Sequence, residues 1–128
     1  MNAHWSDRYL GLPYDEQAFD CAALAERVRR EVFGQDLHLP SERRPGPFGR
    51  SAQISQNIAD CAVQTFTPAD GDGVLLVCNG RLQHIGMYCV IAGEPWVVHN
   101  QAGQGVTRRR VRELAKWGYR IEGYYQWI

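Results

Sequence analysis

Apolar residues recur at three- and four-residue spacing from Cys21 through Leu24, Ala25, Val28 and Val32, while Glu26, Arg27, Arg29 and Arg30 fill the other positions. This period predicts an amphipathic helix that stops at Gly34. Upstream, Trp5, Tyr9, Leu10, Leu12, Pro13, Tyr14 and Phe19 give residues 1–19 enough apolar surface to pack, with a short helix expected from Trp5 to Leu10, ended by Gly11 and Pro13. Residues 35–50 hold three prolines and two glycines among charged residues, a loop pattern. A second helix is expected over about Ser51 to Thr65, with Ile54, Ile58, Cys61 and Ala62 along one stripe. Pro68 and Asp70-Gly71-Asp72-Gly73 then break the chain.

Beyond Gly73 the pattern changes to β-type runs: Val74 to Cys78, His84 to Ile91 and Trp96 to His99. Asn79-Gly80 and the four residues Ala92-Gly93-Glu94-Pro95 read as the turns of antiparallel hairpins. Asn100 to Gly105 reads as a loop, Val106 to Arg108 as a short strand and Val111 to Trp117 as a short helix closed by Gly118. Tyr119 to Ile128 reads as a final strand. Helices first and an antiparallel sheet second give an α+β fold with no repeats. At 128 residues and 45% hydrophobic composition the chain fits one domain, residues 1–128, able to fold without disulfides.

Charge changes this picture little. Lys and Arg total 14 and Asp and Glu total 14, so no global field favours nucleic acid or an acidic membrane. Locally, Glu42-Arg43-Arg44, Arg50 and the run Arg108 to Arg112 leave anionic contacts open. No apolar run is long enough to span a bilayer, and stable membrane insertion is not expected. The first residues lack the pattern of a secretory signal, so the chain is expected to be made and folded in the cytoplasm unless another machine exports it. Cysteines at 21, 61, 78 and 89 match neither a redox CxxC pair nor a structural zinc cluster and read as free thiols.

The candidate chemistry begins at Phe19-Asp20-Cys21-Ala22. With Asp20 as helix cap, Cys21 lies in the first turn, where unpaired N–H groups and the helix dipole favour the thiolate. Strand alternation puts His84, Gly86 and Tyr88 on one face, and Gly86 is expected to leave room there for an approaching group. A hairpin brings His99 within reach of His84, so that one imidazole can orient the other. Taken singly, a free cysteine is more often a small buried residue and a strand histidine a hydrogen-bonded structural one. Together the three read as a thiol nucleophile, its base and an orienting partner, with attack on an amide carbonyl through an acyl-enzyme. The backbone N–H of Cys21 with Tyr14 or Tyr9 are the candidate oxyanion donors. Cys61 imitates the motif as Asp60-Cys61-Ala62 but falls mid-helix in the apolar stripe, and Cys78 and Cys89 fall in strands. All three read as core.

The same residues resemble the NlpC-type cell-wall cysteine peptidases, most closely the small phage-tail-associated members. The resemblance runs through Tyr9-Leu10-Gly11-Leu12-Pro13-Tyr14, Phe19-Asp20-Cys21-Ala22, Gly71-Asp72-Gly73-Val74-Leu75-Leu76, His84-Ile85-Gly86-Met87-Tyr88 and Val97-Val98-His99. It implies a papain-like core and hydrolysis of peptidoglycan stem peptides at bonds involving D-glutamate and diaminopimelate. It also implies Cys21 as nucleophile, His84 as base, His99 as orienting residue and Tyr14 near the oxyanion. No cofactor or metal is implied; the partners are the peptidoglycan peptide and phage or prophage tail proteins, and the site of action is the periplasm or cell wall. The chain departs from the family pattern in three places. Six residues separate Tyr14 from Cys21 without the usual glycine-rich stretch, Ala22 follows the nucleophile, and Gly73 follows Gly71-Asp72. Three other classes share these residues: a zinc site of Cys21, His84 and His99, a non-catalytic tail or adaptor module docking through Arg108 to Arg112, and a thiol acyltransferase.

Overall fold

A computed structural model describes residues 3–37, 39, 44 and 46–128. Two α-helices, α1 (Cys21–Phe33) and α2 (Gly46–Cys61), precede six strands: β1 (Ala62–Thr65), β2 (Gly73–Cys78), β3 (Leu82–Ile91), β4 (Glu94–Gln101), β5 (Gly105–Arg110) and β6 (Tyr119–Trp127). The segments Trp5–Tyr9 and Val111–Trp117 are 3₁₀ helices. The strands form one antiparallel sheet in the order β1-β6-β2-β3-β4-β5. The α+β class read from the sequence is therefore the observed one. No helix among the described residues is long and apolar enough to cross a membrane.

Each face of the sheet has its own apolar cluster. Leu24, Ala25 and Val28 of α1 pack with Ile85, Met87, Cys89, Val98 and Trp127, and Ile54 and Ile58 of α2 close the edge of this cluster. On the other face Val74, Leu76 and Val97 pack with Leu114 and Tyr119. The alternation of β3 thus sends Ile85, Met87 and Cys89 under the helices and Tyr88 to the opposite side. The N-terminal segment is fastened to the sheet by Asp70, which accepts from Trp5 Nε1 at 2.7 Å and bonds His4 Nε2 at 3.1 Å.

Three expectations change. Helix α2 begins at Gly46, inside the segment read as a loop, of which residues 38, 40–43 and 45, with Glu42 and Arg43, lie outside the described residues. It ends at Cys61, and residues 62–65 form β1 instead of a last helical turn. The β-branched Val63 and Thr65 suit a strand, and pairing with β6 in the register Ala62↔Trp127 satisfies their backbone. The β3–β4 turn uses two residues, not four. Ala92 and Gly93 both take positive φ (53° and 78°), so Ile91 pairs directly with Glu94. A left-handed alanine there is the cost of a turn whose twist matches its strands.

Gly86 lies where β4 crowds β3. A Cβ at this position would lie 2.5 Å from Val97 Cγ1 and 3.5 Å from His99 Cβ, so the space read as room for a ligand is filled by β4. Because Val97 is fully buried, Gly86→Ala must overpack the sheet, at about 1–3 kcal/mol. Urea unfolding should show a lowered midpoint with an unchanged slope. An unchanged midpoint would mean that β4 yields without penalty.

Candidate active site

The pairing of β3 with β4 places Gly86 opposite His99, and His84 stands two residues before Gly86 on β3. Both imidazoles are buried, and His84 Nε2 lies 3.0 Å from His99 Nδ1. The outer nitrogen of His99, Nε2, reaches Thr107 Oγ1 of β5 at 3.5 Å. Tyr119 packs against both rings, with centroid separations of 6.2 Å to His84 and 4.9 Å to His99. Burial disfavours the imidazolium, holding His84 down to about 4 against a small opposing pull from Asp20. His99 is held well below the usual imidazole range by burial, the neighbouring His84 and Arg109. At neutral pH both rings are uncharged. When His84 donates from Nε2 to His99, His99 donates from Nε2 to Thr107, and His84 Nδ1 is left as a proton acceptor.

Cys21 opens α1 as expected, with Asp20 as N-cap: the Asp20 carboxylate accepts from the Ala23 N–H at 2.9 Å. The backbone N–H groups of Ile85 and Ala22 bond the sulfur. Burial, with the Asp20 charge, outweighs these bonds and pushes the Cys21 thiol up to about 11, against the expectation that the helix start favours the thiolate. The free protein therefore holds a neutral thiol in the same cleft as a neutral imidazole.

Two side chains fix the segment before Cys21: Asn100, which sequence reasoning did not single out, and Arg50, named there only as a local charge open to anionic contacts. Asn100, fully buried, donates from Nδ2 to the carbonyls of Phe19 (2.8 Å) and Asp20 (3.4 Å). Arg50 of α2 pairs with the Asp20 carboxylate and donates to the Glu16 carbonyl. Adjacent residues of β4 thus serve the two halves of the site: His99 holds His84, and Asn100 holds the approach to Cys21. No local pattern announced Arg50, because its role depends on how α2 crosses α1.

Cys21 and His84 line one cleft of about 390 Å³, together with Tyr14, Glu16, Arg50 and Gln101. Tyr14 is half-buried there, and burial with the nearby Cys21, Asp20 and Glu16 raises its phenol despite Arg50. Its hydroxyl has no partner among the described residues. Tyr9 is not at the site: its buried hydroxyl donates to Glu31 (2.7 Å) and accepts from Arg8 (2.9 Å), with Glu31 ten residues along α1 from Cys21. Gly86 serves strand packing, as described above. Cys61 and Cys89 are buried as expected, although Cys61 closes α2 instead of lying within it, and Cys78 is partly exposed at the same cleft.

A zinc ion held by Cys21, His84 and His99 would need one nitrogen from each ring, yet both nitrogens of His99 are engaged. His4, Asp70 and Cys89 bring ligand atoms within 4.8 Å of one another. His4 Nδ1, however, accepts from the Ser6 N–H, so Nε2 carries the proton and donates to Asp70, an anchor instead of a ligand set. The arginine run is spent on neighbours: Arg108 pairs with Asp7 (2.6 Å), Arg110 with Glu94 (2.6 Å), and Arg109 stacks on Trp117. Comparison with protein-family models and with curated proteins finds no match.

Because the thiol is protonated, alkylation of Cys21 should depend on His84. With iodoacetamide at neutral pH, His84→Ala should slow Cys21 labelling on the order of 10²-fold while leaving Cys78, the more exposed thiol, unchanged. Equal Cys21 rates in both proteins would show that His84 does not serve it.

Proposed function

We propose that this protein is a cysteine peptidase of the NlpC type with a papain-like core, hydrolysing amide bonds in peptidoglycan stem peptides. The observation that carries the reading is His84, held from behind by the buried His99, lining one cleft with a helix-start cysteine. The order of the matching segments supports the family, and the antiparallel sheet with helices packed on it supports the core.

His84 Nδ1 takes the Cys21 proton as the sulfur attacks the amide carbonyl. Since the thiol is held up to about 11 and the imidazole down to about 4, transfer accompanies attack instead of preceding it. The backbone N–H of Cys21 and the Tyr14 hydroxyl meet the developing oxyanion. As the C–N bond breaks, the amine leaves with the proton from His84, and a thioacyl-enzyme remains. Water then gives His84 a proton and attacks the thioester; the acid departs and the proton returns to the sulfur. His99 holds His84 in the required tautomer throughout. With an amine in place of water the same intermediate serves acyl transfer. The protein acts as part of a phage or prophage tail, on the cell wall.

Purified peptidoglycan digested with the wild type should release stem-peptide fragments identifiable by mass, and Cys21→Ala should release none. His84→Ala should cost on the order of 10²–10⁴ in rate, whereas His99→Gln, still able to accept a hydrogen bond, should keep part of the activity. A digest unchanged by wild-type protein would favour the non-catalytic tail module. Equal inactivity of folded His99→Gln and His84→Ala would mean that His99 does more than orient.

A further inference from the structure

Gln101 ends β4, two residues beyond His99, and lines the cleft with Cys21, His84 and Tyr14. Its amide is held at one end only. The Tyr119 hydroxyl donates to Oε1 at 3.0 Å, while Nε2 has no protein partner among the described residues. Burial pushes the Tyr119 phenol up to about 12, so it keeps its proton and remains a donor. Fixing the carbonyl end in this way leaves the amino end as a donor for something the cleft binds. Both terminal nitrogens of Arg50, the cation of the cleft, are engaged by Asp20 and Glu16, so a neutral acceptor suits the site better than a carboxylate. A peptide offers one carbonyl per residue. We propose that Gln101 is a substrate-binding residue that donates from Nε2 to a carbonyl oxygen of the bound peptide beside the scissile bond, and that Tyr119 is the positioning residue that sets which end of the amide faces it. This rests on the peptidase reading above.

Substitutions separate this role from a purely structural one. Gln101→Glu keeps an oxygen for Tyr119 but turns the donor into an acceptor, whereas Gln101→Ala loses both. Binding of the soluble peptide L-Ala-γ-D-Glu-meso-diaminopimelate is measured by NMR titration on a Cys21→Ala background, and its cleavage with Cys21 intact. The expected result is a rise of roughly three- to ten-fold in Kd and KM for Gln101→Ala, with kcat little changed, and at least as large a rise for Gln101→Glu. Tyr119→Phe, which keeps the ring against both imidazoles, should raise KM by less. Wild-type affinity in Gln101→Glu alongside loss in Gln101→Ala would make the residue a mere prop for Tyr119 and overturn the proposal. Unchanged Kd in both variants would overturn it as well. Binding that depends on Gln101 without any cleavage would sustain the proposal and refute the peptidase reading, cleavage indifferent to Gln101 would do the reverse, and neither binding nor cleavage by the unsubstituted site would refute both.

Discussion

Two imidazoles that share a 3.0 Å hydrogen bond inside a folded sheet cannot both be imidazolium, and here burial disfavours even one positive charge. The pair is therefore a neutral donor–acceptor chain, and it leaves His84 Nδ1 as an acceptor when His99 donates its outer N–H to Thr107. Thr107 on β5 supplies the acceptor that permits this. What the sheet contributes is register. Gly86 lets β4 come close, His99 sits across from it, and Tyr119 of β6 covers both rings. A residue type changed at Gly86 or Thr107 would alter proton placement without touching the sulfur.

The sulfur is subject to the same constraint from the other side. Asp20, Arg50 and Asn100 fix the entry to α1 with charge-assisted and backbone hydrogen bonds. That precision comes with burial, and burial protonates the thiol. A pre-formed thiolate–imidazolium pair, the usual device for activating a cysteine, is unfavourable in this environment. In the mechanism proposed above, proton transfer to His84 is therefore coupled to attack by the sulfur.

Much of this was legible in the sequence where local pattern controls structure. The 3.6 period with Asp20 and Gly34 bounded α1, and the β-type runs with their turns gave the β2–β3 and β3–β4 hairpins, the second of which unites His84 and His99. Legibility failed where tertiary contacts decide. Residues 62–65 continue a helical stripe by periodicity yet pair with β6, a partner some sixty residues away in the chain. The ionisation of Cys21 was misjudged because the helix dipole is visible in sequence and desolvation is not. Tyr9 and Tyr14 are equivalent by type and proximity to the motif; only packing separates the one bonded to Glu31 from the one at the cleft. Arg50, Asn100, Thr107 and Gln101 carry no motif, and their roles exist only once three elements meet.

The protonation of the site is the claim on which everything else depends, and imidazole nitrogen shifts measure it directly. In a ¹⁵N-resolved NMR pH titration of the wild type, His84 should be neutral with its proton on Nε2 and its Nδ1 unprotonated at pH 7, and should not titrate until the pH approaches about 4. His84 as an imidazolium at pH 7, losing its charge when Cys21 is replaced by Ala, would reveal a thiolate–imidazolium pair and contradict the account.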